Sequence, residues 1–188
     1  MAEAATRLFE EAGYVATTVE VIALAAGVSG KTVYDAFTTK AGLLRAAWDL
    51  ALKGDADAAP VAVRPWYVAV LEEPDARKAI EMVAQNSVMV KQRIGPLLRV
   101  IRDASAVDDD GAALWSLINT DFYDNQRVIV SALTKRKGLR PGLTVTKATD
   151  VLWTLNHPDV WLLLHHNRGW SPKEFERWLA EALVAALL

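Results

Sequence analysis

The sequence predicts an all-α fold, with a small N-terminal three-helix module followed by a larger helical one. Three observations lead to it. Apolar residues recur at i, i+3, i+4 and i+7 through most of the 188 residues, which is the period of an amphipathic helix. The joints between these stripes carry helix starts and stops. No segment keeps the alternation of a strand, and there is no internal repeat.

Ala5, Leu8, Phe9 and Ala12 form the first stripe, closed by Gly13-Tyr14. Thr17 followed by Glu20 has the spacing of a capping box, and Gly27 stands where a helix ends in a left-handed residue. Between them Val19, Ile22, Ala23 and Ala26 share one face, giving a second helix from about Thr18 to Ala26. The small side chains of Ala23 and Ala26 let another helix approach closely, and Val28 can plug the angle between the two. Ser29 is a good N-cap for a third helix. In that helix Val33 and Phe37 face inward, leaving Gly30, Lys31, Thr32, Tyr34 and Asp35 toward the outside. Thr38 or Thr39 caps a fourth helix with Leu43, Leu44, Ala47 and Trp48 on its apolar side.

Gly30-Lys31-Thr32 can also be read as the end of a phosphate-binding loop, G-x-x-x-x-G-K-[ST]. Such a loop lies between a buried strand and a helix, so that backbone N–H groups surround the phosphates. Its first glycine would fall where the chain has Ala25, and the preceding apolar run carries helical period and helix punctuation. No second apolar strand ends in an Asp that could hold magnesium. The helix-turn-helix reading uses almost every residue. Its exposed set, with a hydroxyl pair and one cation, suits the leading end of a helix that enters a DNA groove.

The rest reads as helices with short joints. Lys53 to Pro60 is a small polar break, Pro65 opens a helix that stops before Pro74, and Asp75 caps the next. Ala79, Met82, Val83, Asn86 and Val90 line one face of that helix. Gly95-Pro96 is expected to break the pattern, with Pro96 restarting it at the first helical position. Asp108 to Asp110 offer caps for a long helix from about Gly111 to Lys137, whose acidic start and basic end suit the helix dipole. Arg140-Pro141-Gly142 is a loop. Helices from about Val145 to His166 and Pro172 to Leu188 finish the chain, with Gly169 and Ser171 as stop and start. Pro158 should kink the first of these unless it lies at a register break.

The order Leu8-Phe9, Gly13-Tyr14, Thr17-Thr18-Val19, Ile22-Ala23, Ala26-Gly27-Val28-Ser29, Thr32-Val33-Tyr34, Phe37, Lys40, Leu43-Leu44 resembles the N-terminal domain of the tetracycline-repressor (TetR) family of bacterial transcription regulators. The match covers about the first fifty residues, and it divides the chain into a helix-turn-helix DNA-binding domain at 1–50, its motif at about 18–37, and a ligand-binding and dimerisation domain at 51–188. The resemblance implies phosphate contacts from Thr18, Tyr34 and Lys40 and contacts to base edges from Gly30, Lys31 and Thr32, with Ser29 completing the DNA-binding set. Phosphate contacts fix register, whereas base contacts read sequence. It also implies a small-molecule pocket, for which Trp66, Met82, Asn86, Met89, Trp115, Asn119, Phe122, Tyr123 and Trp153 are candidate lining residues. Ordinary core packing would employ the same side chains.

The last two helices are apolar on most faces, which calls for burial on most faces. A homodimer through residues of about 145–188 meets that need, and it pairs two recognition helices for successive major grooves about 34–36 Å apart. Trp153, His157, Trp161 and His165, spaced by four, would then form a seam. Three histidines without a nearby carboxylate cluster give no metal site, and no cofactor or catalytic set is expected. The chain has no Cys, which removes disulfides and thiolate chemistry and fits a reducing cytoplasm. No apolar run is long enough to cross a bilayer.

Two departures from the family pattern stand out. Asp35 and Ala36 occupy places where the family often has basic or aromatic residues. Residues 1–53 carry five basic and six acidic side chains, a net charge of −1. That balance predicts weak DNA binding, because counterion release supplies much of the affinity. A basic arm upstream of Met1 would correct it. The sequence thus points to a DNA-binding regulator answering to a small hydrophobic effector. The alternative is a helical small-molecule binder or regulatory partner that no longer engages double-stranded DNA.

Overall fold

A computed structural model describes residues 1–54 and 59–188, and among these no residue is in a strand. The helices are α1 (Ala2–Ala16), α2 (Val19–Ala25), α3 (Gly30–Phe37), α4 (Lys40–Lys53), α5 (Pro65–Glu72), α6 (Ala76–Val107), α7 (Asp109–Lys135), α8 (Val145–Leu155), α9 (Pro158–Trp161) and α10 (Pro172–Leu187). A 3₁₀ turn at Val61–Val63 precedes α5, and a wider π-type turn at Leu162–Asn167 follows α9. They gather into two compact units, Met1–Asp57 with Arg93–Ile118, and Ala58–Gln92 with Asn119–Leu188.

In the first unit α1 packs on α4, and α2 packs on α3. Ala5, Phe9, Ile22, Val33, Leu43, Leu44 and Ala47 are buried there. The start of α2 differs from expectation by one residue. Thr17 does not cap it: this side chain is buried and its hydroxyl donates into the end of α1, 2.7 Å from the Gly13 carbonyl and 3.1 Å from that of Leu8. Thr18 is the N-cap instead, accepting from the Val21 N–H at 3.3 Å. A capping box from Thr17 to Glu20 is therefore absent, because the fold uses the first threonine to pin α1. Gly27 takes the expected left-handed φ of 67°. Ser29 caps α3 by accepting from the Thr32 N–H at 3.1 Å, and Thr39 caps α4 through the Gly42 N–H at 3.0 Å. Gly42 is required for a close approach, since a Cβ there would lie 2.2 Å from the Phe37 carbonyl oxygen.

The break expected after α4 begins at Gly54, which ends the helix with φ 83°; residues 55–58 lie outside the described residues. Asp75 caps α6 through the Lys78 N–H at 2.9 Å. The expected break at Gly95-Pro96 does not occur, and α6 continues to Val107 with Pro96 inside it. Pro96 removes one backbone hydrogen bond, but it sits on the exposed face, where water can serve the freed carbonyl. Buried Ile94, Leu97, Leu98 and Ile101 hold the helix on either side.

The core of the second unit joins Tyr67, Val70, Ile80, Val83, Val130, Leu133, Leu152, Trp161, Phe175, Leu179, Leu183 and Leu187. The helix expected over residues 145–166 is divided. α8 stops at Leu155, Asn156 is its C-cap, and His157 caps α9 with Pro158 at the first helical position. Proline is well placed there, where no N–H is needed. In α10, Ser171 and Glu174 form a complete capping box.

Candidate nucleic-acid interface

The turn between α2 and α3 leaves the beginning of α3 open to solvent. Buried Val33 and half-buried Phe37 turn one side of the helix inward, so Lys31, Thr32, Tyr34 and Asp35 are exposed and Gly30 is half-buried. Ser29 and Thr32 are tied together by their hydroxyls at 2.8 Å as well as by the cap. Thr18 lies exposed at the start of α2. This arrangement offers hydroxyls, an ammonium and a phenol from one rigid helix start. Val21–Leu24, the segment a phosphate loop would need as a strand, lies in α2.

Lys31 has a partner on its own helix. Its Nζ is 2.8 Å from Asp35 Oδ2 and 3.1 Å from Oδ1, with the two side chains 82% and 65% exposed. At that exposure the pair contributes little to stability, but it neutralises the one cation at the leading end of the helix.

Lys40 opens α4 half-buried, its Nζ 4.1 Å from the centroid of the Tyr14 ring. Burial lowers the pKa of its ammonium, and Asp108 partly offsets this. Burial and then Asp108 push the Tyr14 phenol upward. Arg93 of α6 donates to the carbonyls of Leu52 and Lys53 at the end of α4, 3.2 and 3.3 Å away.

The nine residues expected around a ligand are all partly buried, and they fall into groups. Asn86 donates to the Trp66 carbonyl at 2.8 Å, and Met82 packs against the same core. Asn119, Phe122, Tyr123 and Trp153 gather around His157. The Trp153 and His157 rings are 4.7 Å apart, Phe122 is 6.2 Å from His157, and Tyr123 is 6.4 Å from Trp153. His157 Nδ1 accepts from the Asp159 N–H, which leaves Nε2 to donate to Asn119 Oδ1 at 3.0 Å. Met89 is half-buried on α6. Trp115 belongs to the first unit, where Arg102 lies over its ring at 4.8 Å.

The four-residue stripe on the penultimate helix becomes two ring pairs, because the chain breaks between them. Trp161 stacks on His165 at 4.2 Å and meets Phe175 edge-on, buried within its own chain. It therefore does not form a surface seam.

Sequence reasoning missed a buried polar group in the second unit. Ser87 and Lys91 of α6, Gln126 of α7 and Asn156 at the end of α8 are all 8% exposed or less. Lys91 donates to Ser87 and Asn156, and Asn156 donates to Gln126 Oε1 at 3.2 Å. The signal was present. Ile80, Ala84, Ser87, Lys91 and Ile94 follow each other at steps of four and three along α6, so a lysine occupies a core-facing position.

Residues 2–47 match the sequence model of bacterial regulatory proteins of the tetR family. A comparison with curated protein sequences finds no match. Solved structures resemble the chain along its length. PfmR, a TetR-family transcriptional regulator from Thermus thermophilus, is 20% identical with a TM-score of 0.64, over 98% of this chain and 96% of that one. NalD of Pseudomonas aeruginosa, the secondary repressor of the MexAB-OprM multidrug efflux pump, is 21% identical with a TM-score of 0.67, over 100% and 94%. A TetR transcription regulator from Haloarcula marismortui is 15% identical with a TM-score of 0.71, over 100% and 96%. Residues 2–47 thus form a TetR-type N-terminal domain, and the chain as a whole has the fold of TetR-family transcriptional regulators.

Proposed function

We propose that the chain is a homodimeric DNA-binding transcriptional regulator, a repressor that a small hydrophobic ligand releases from a palindromic operator. Residues 1–50 engage DNA. Residues 51–188 bind the ligand and dimerise through about 145–188. The observation that carries this reading is the exposed, capped beginning of α3 on a TetR-type domain. One protein of the same fold, NalD, is a repressor, which supports the sign of regulation. Gly30, Lys31 and Thr32 reach base edges, while Thr18, Ser29, Tyr34 and Lys40 hold the backbone. Ligand binds better to the form whose recognition helices are mis-spaced for adjacent grooves, and so shifts the population off DNA.

The test is a gel shift on a palindrome from the promoter beside the coding sequence, at two salt concentrations. Specific binding that weakens with salt is expected, with a slope of about −0.9 per phosphate neutralised. The pairing of Lys31 with Asp35 favours one second reading, a helical ligand binder that has left DNA. Absence of specific binding, with any upstream residues restored, selects that reading over the repressor.

A further inference from the structure

Lys91 is 3% exposed, and its polar partners are the hydroxyl of Ser87 and the amide oxygen of Asn156, both neutral. Among the described residues no carboxylate pairs with Lys91. A buried charge without a counter-charge costs several kcal/mol, and an apolar residue of similar volume is usually more stable in its place. Packing alone therefore does not account for a lysine here. An ammonium has three donors. Two are engaged, and beyond them the Phe175 ring centroid lies 5.4 Å from Nζ. One turn before Asn156, the buried indole Nε1–H of Trp153 has no acceptor among the described residues, although buried donors are nearly always paired. Phe175 thus lies beside the Lys91 ammonium, while Trp153 and Phe122 both meet the ring of His157, the residue that follows Asn156.

We propose that this cluster receives the head of an anionic ligand, a carboxylate on an apolar body, with the Lys91 ammonium as its counter-charge. The inference rests on the reading of residues 51–188 as the effector domain, and it names the chemical class of that effector. Trp153 supplies a second donor, and the aromatic side chains meet the apolar body. The lowered pKa of Lys91, to about 7 through burial, expresses the same missing partner. An arriving carboxylate restores the charged form.

The probes are octanoate and 4-phenylbutyrate, each against its own neutral amide, followed by tryptophan fluorescence and thermal shift of the full chain at pH 7. Each acid is expected to bind at least about tenfold more tightly than its amide. Lys91→Met, checked for folding by circular dichroism, should bind acid and amide within about twofold of each other. The wild-type comparison stands even if that variant does not fold, and Trp153→Phe should weaken the acids a few-fold. Equal binding of acid and amide to wild type, binding of neither, or an acid preference kept by folded Lys91→Met each overturns the proposal. Adding the operator separates the two readings. An acid preference through Lys91 with no effect on DNA binding sinks the repressor and leaves the site. Specific DNA binding without any acid preference does the reverse.

Discussion

Single side chains would decide how strongly the proposed regulator engages DNA, and Asp35 is the clearest case. It holds Lys31 at 2.8 Å on the exposed side of α3, so a phosphate or base edge must compete with a carboxylate already in place. Asp35→Asn frees the ammonium, and specific DNA affinity should rise about tenfold at low salt, with the salt slope steeper by about one per protomer. Lys31→Ala should shift the slope the other way; a variant pair with unchanged slopes in a salt titration would exclude this face from the interface. Lys91 gives a second prediction. Its folded pKa of about 7 lies below the ordinary 10.5, so between these values the unfolded chain binds the extra proton and stability increases with pH. The destabilisation is fully present below about pH 7 and fades toward pH 10. Lys91→Met should therefore exceed wild type by about 1–4 kcal/mol at neutral pH, with the advantage shrinking in denaturant titrations at higher pH. A pH-independent difference would contradict it.

At the scale of elements, most helices were legible because their starts are written in residues with one dominant role. Ser29, Thr39, Asp75 and Ser171 each accept from a backbone N–H at the start of their own helix. What was not legible depends on neighbours far along the chain. Two adjacent threonines compete for the cap of α2, and only the packing of α1 sends Thr17 inward to Gly13 and Leu8. Pro96 looks like a stop in sequence, yet flanking burial carries α6 through it. Pro158 was readable as a possible break; that it falls at the first position of a helix follows from Asn156 and His157 taking the two caps. The polar cluster was harder still, since three of its members are ordinary polar residues on three different helices. Only Lys91 betrays it, by standing in an apolar stripe.

For the whole molecule, the last helices divide their apolar surface between two duties. Phe175, Leu179, Leu183 and Leu187 are buried in their own chain, while Val151, Leu155, Leu162, Leu164, Trp178, Val184 and Leu188 are only partly covered and Leu163 is 56% exposed. A second copy is the expected cover, so light scattering should report twice the mass of one chain, and Leu163→Asp should reduce it; a monomer at micromolar concentration would remove the homodimer. The chain carries a formal net charge of −2, so in the proposed regulator long-range attraction to DNA would be weak and recognition would depend on local contacts. Here the Lys31–Asp35 pair has a further effect. A genome offers on the order of 10⁶ or more competing sites, and each would hold the proposed regulator mainly through unneutralised cations. A recognition helix that cancels its own charge loses affinity for all of those sites alike. In the proposed regulator the operator loses that contribution too, so the pair lowers specific and non-specific affinity together and leaves discrimination to the uncharged contacts of the helix start.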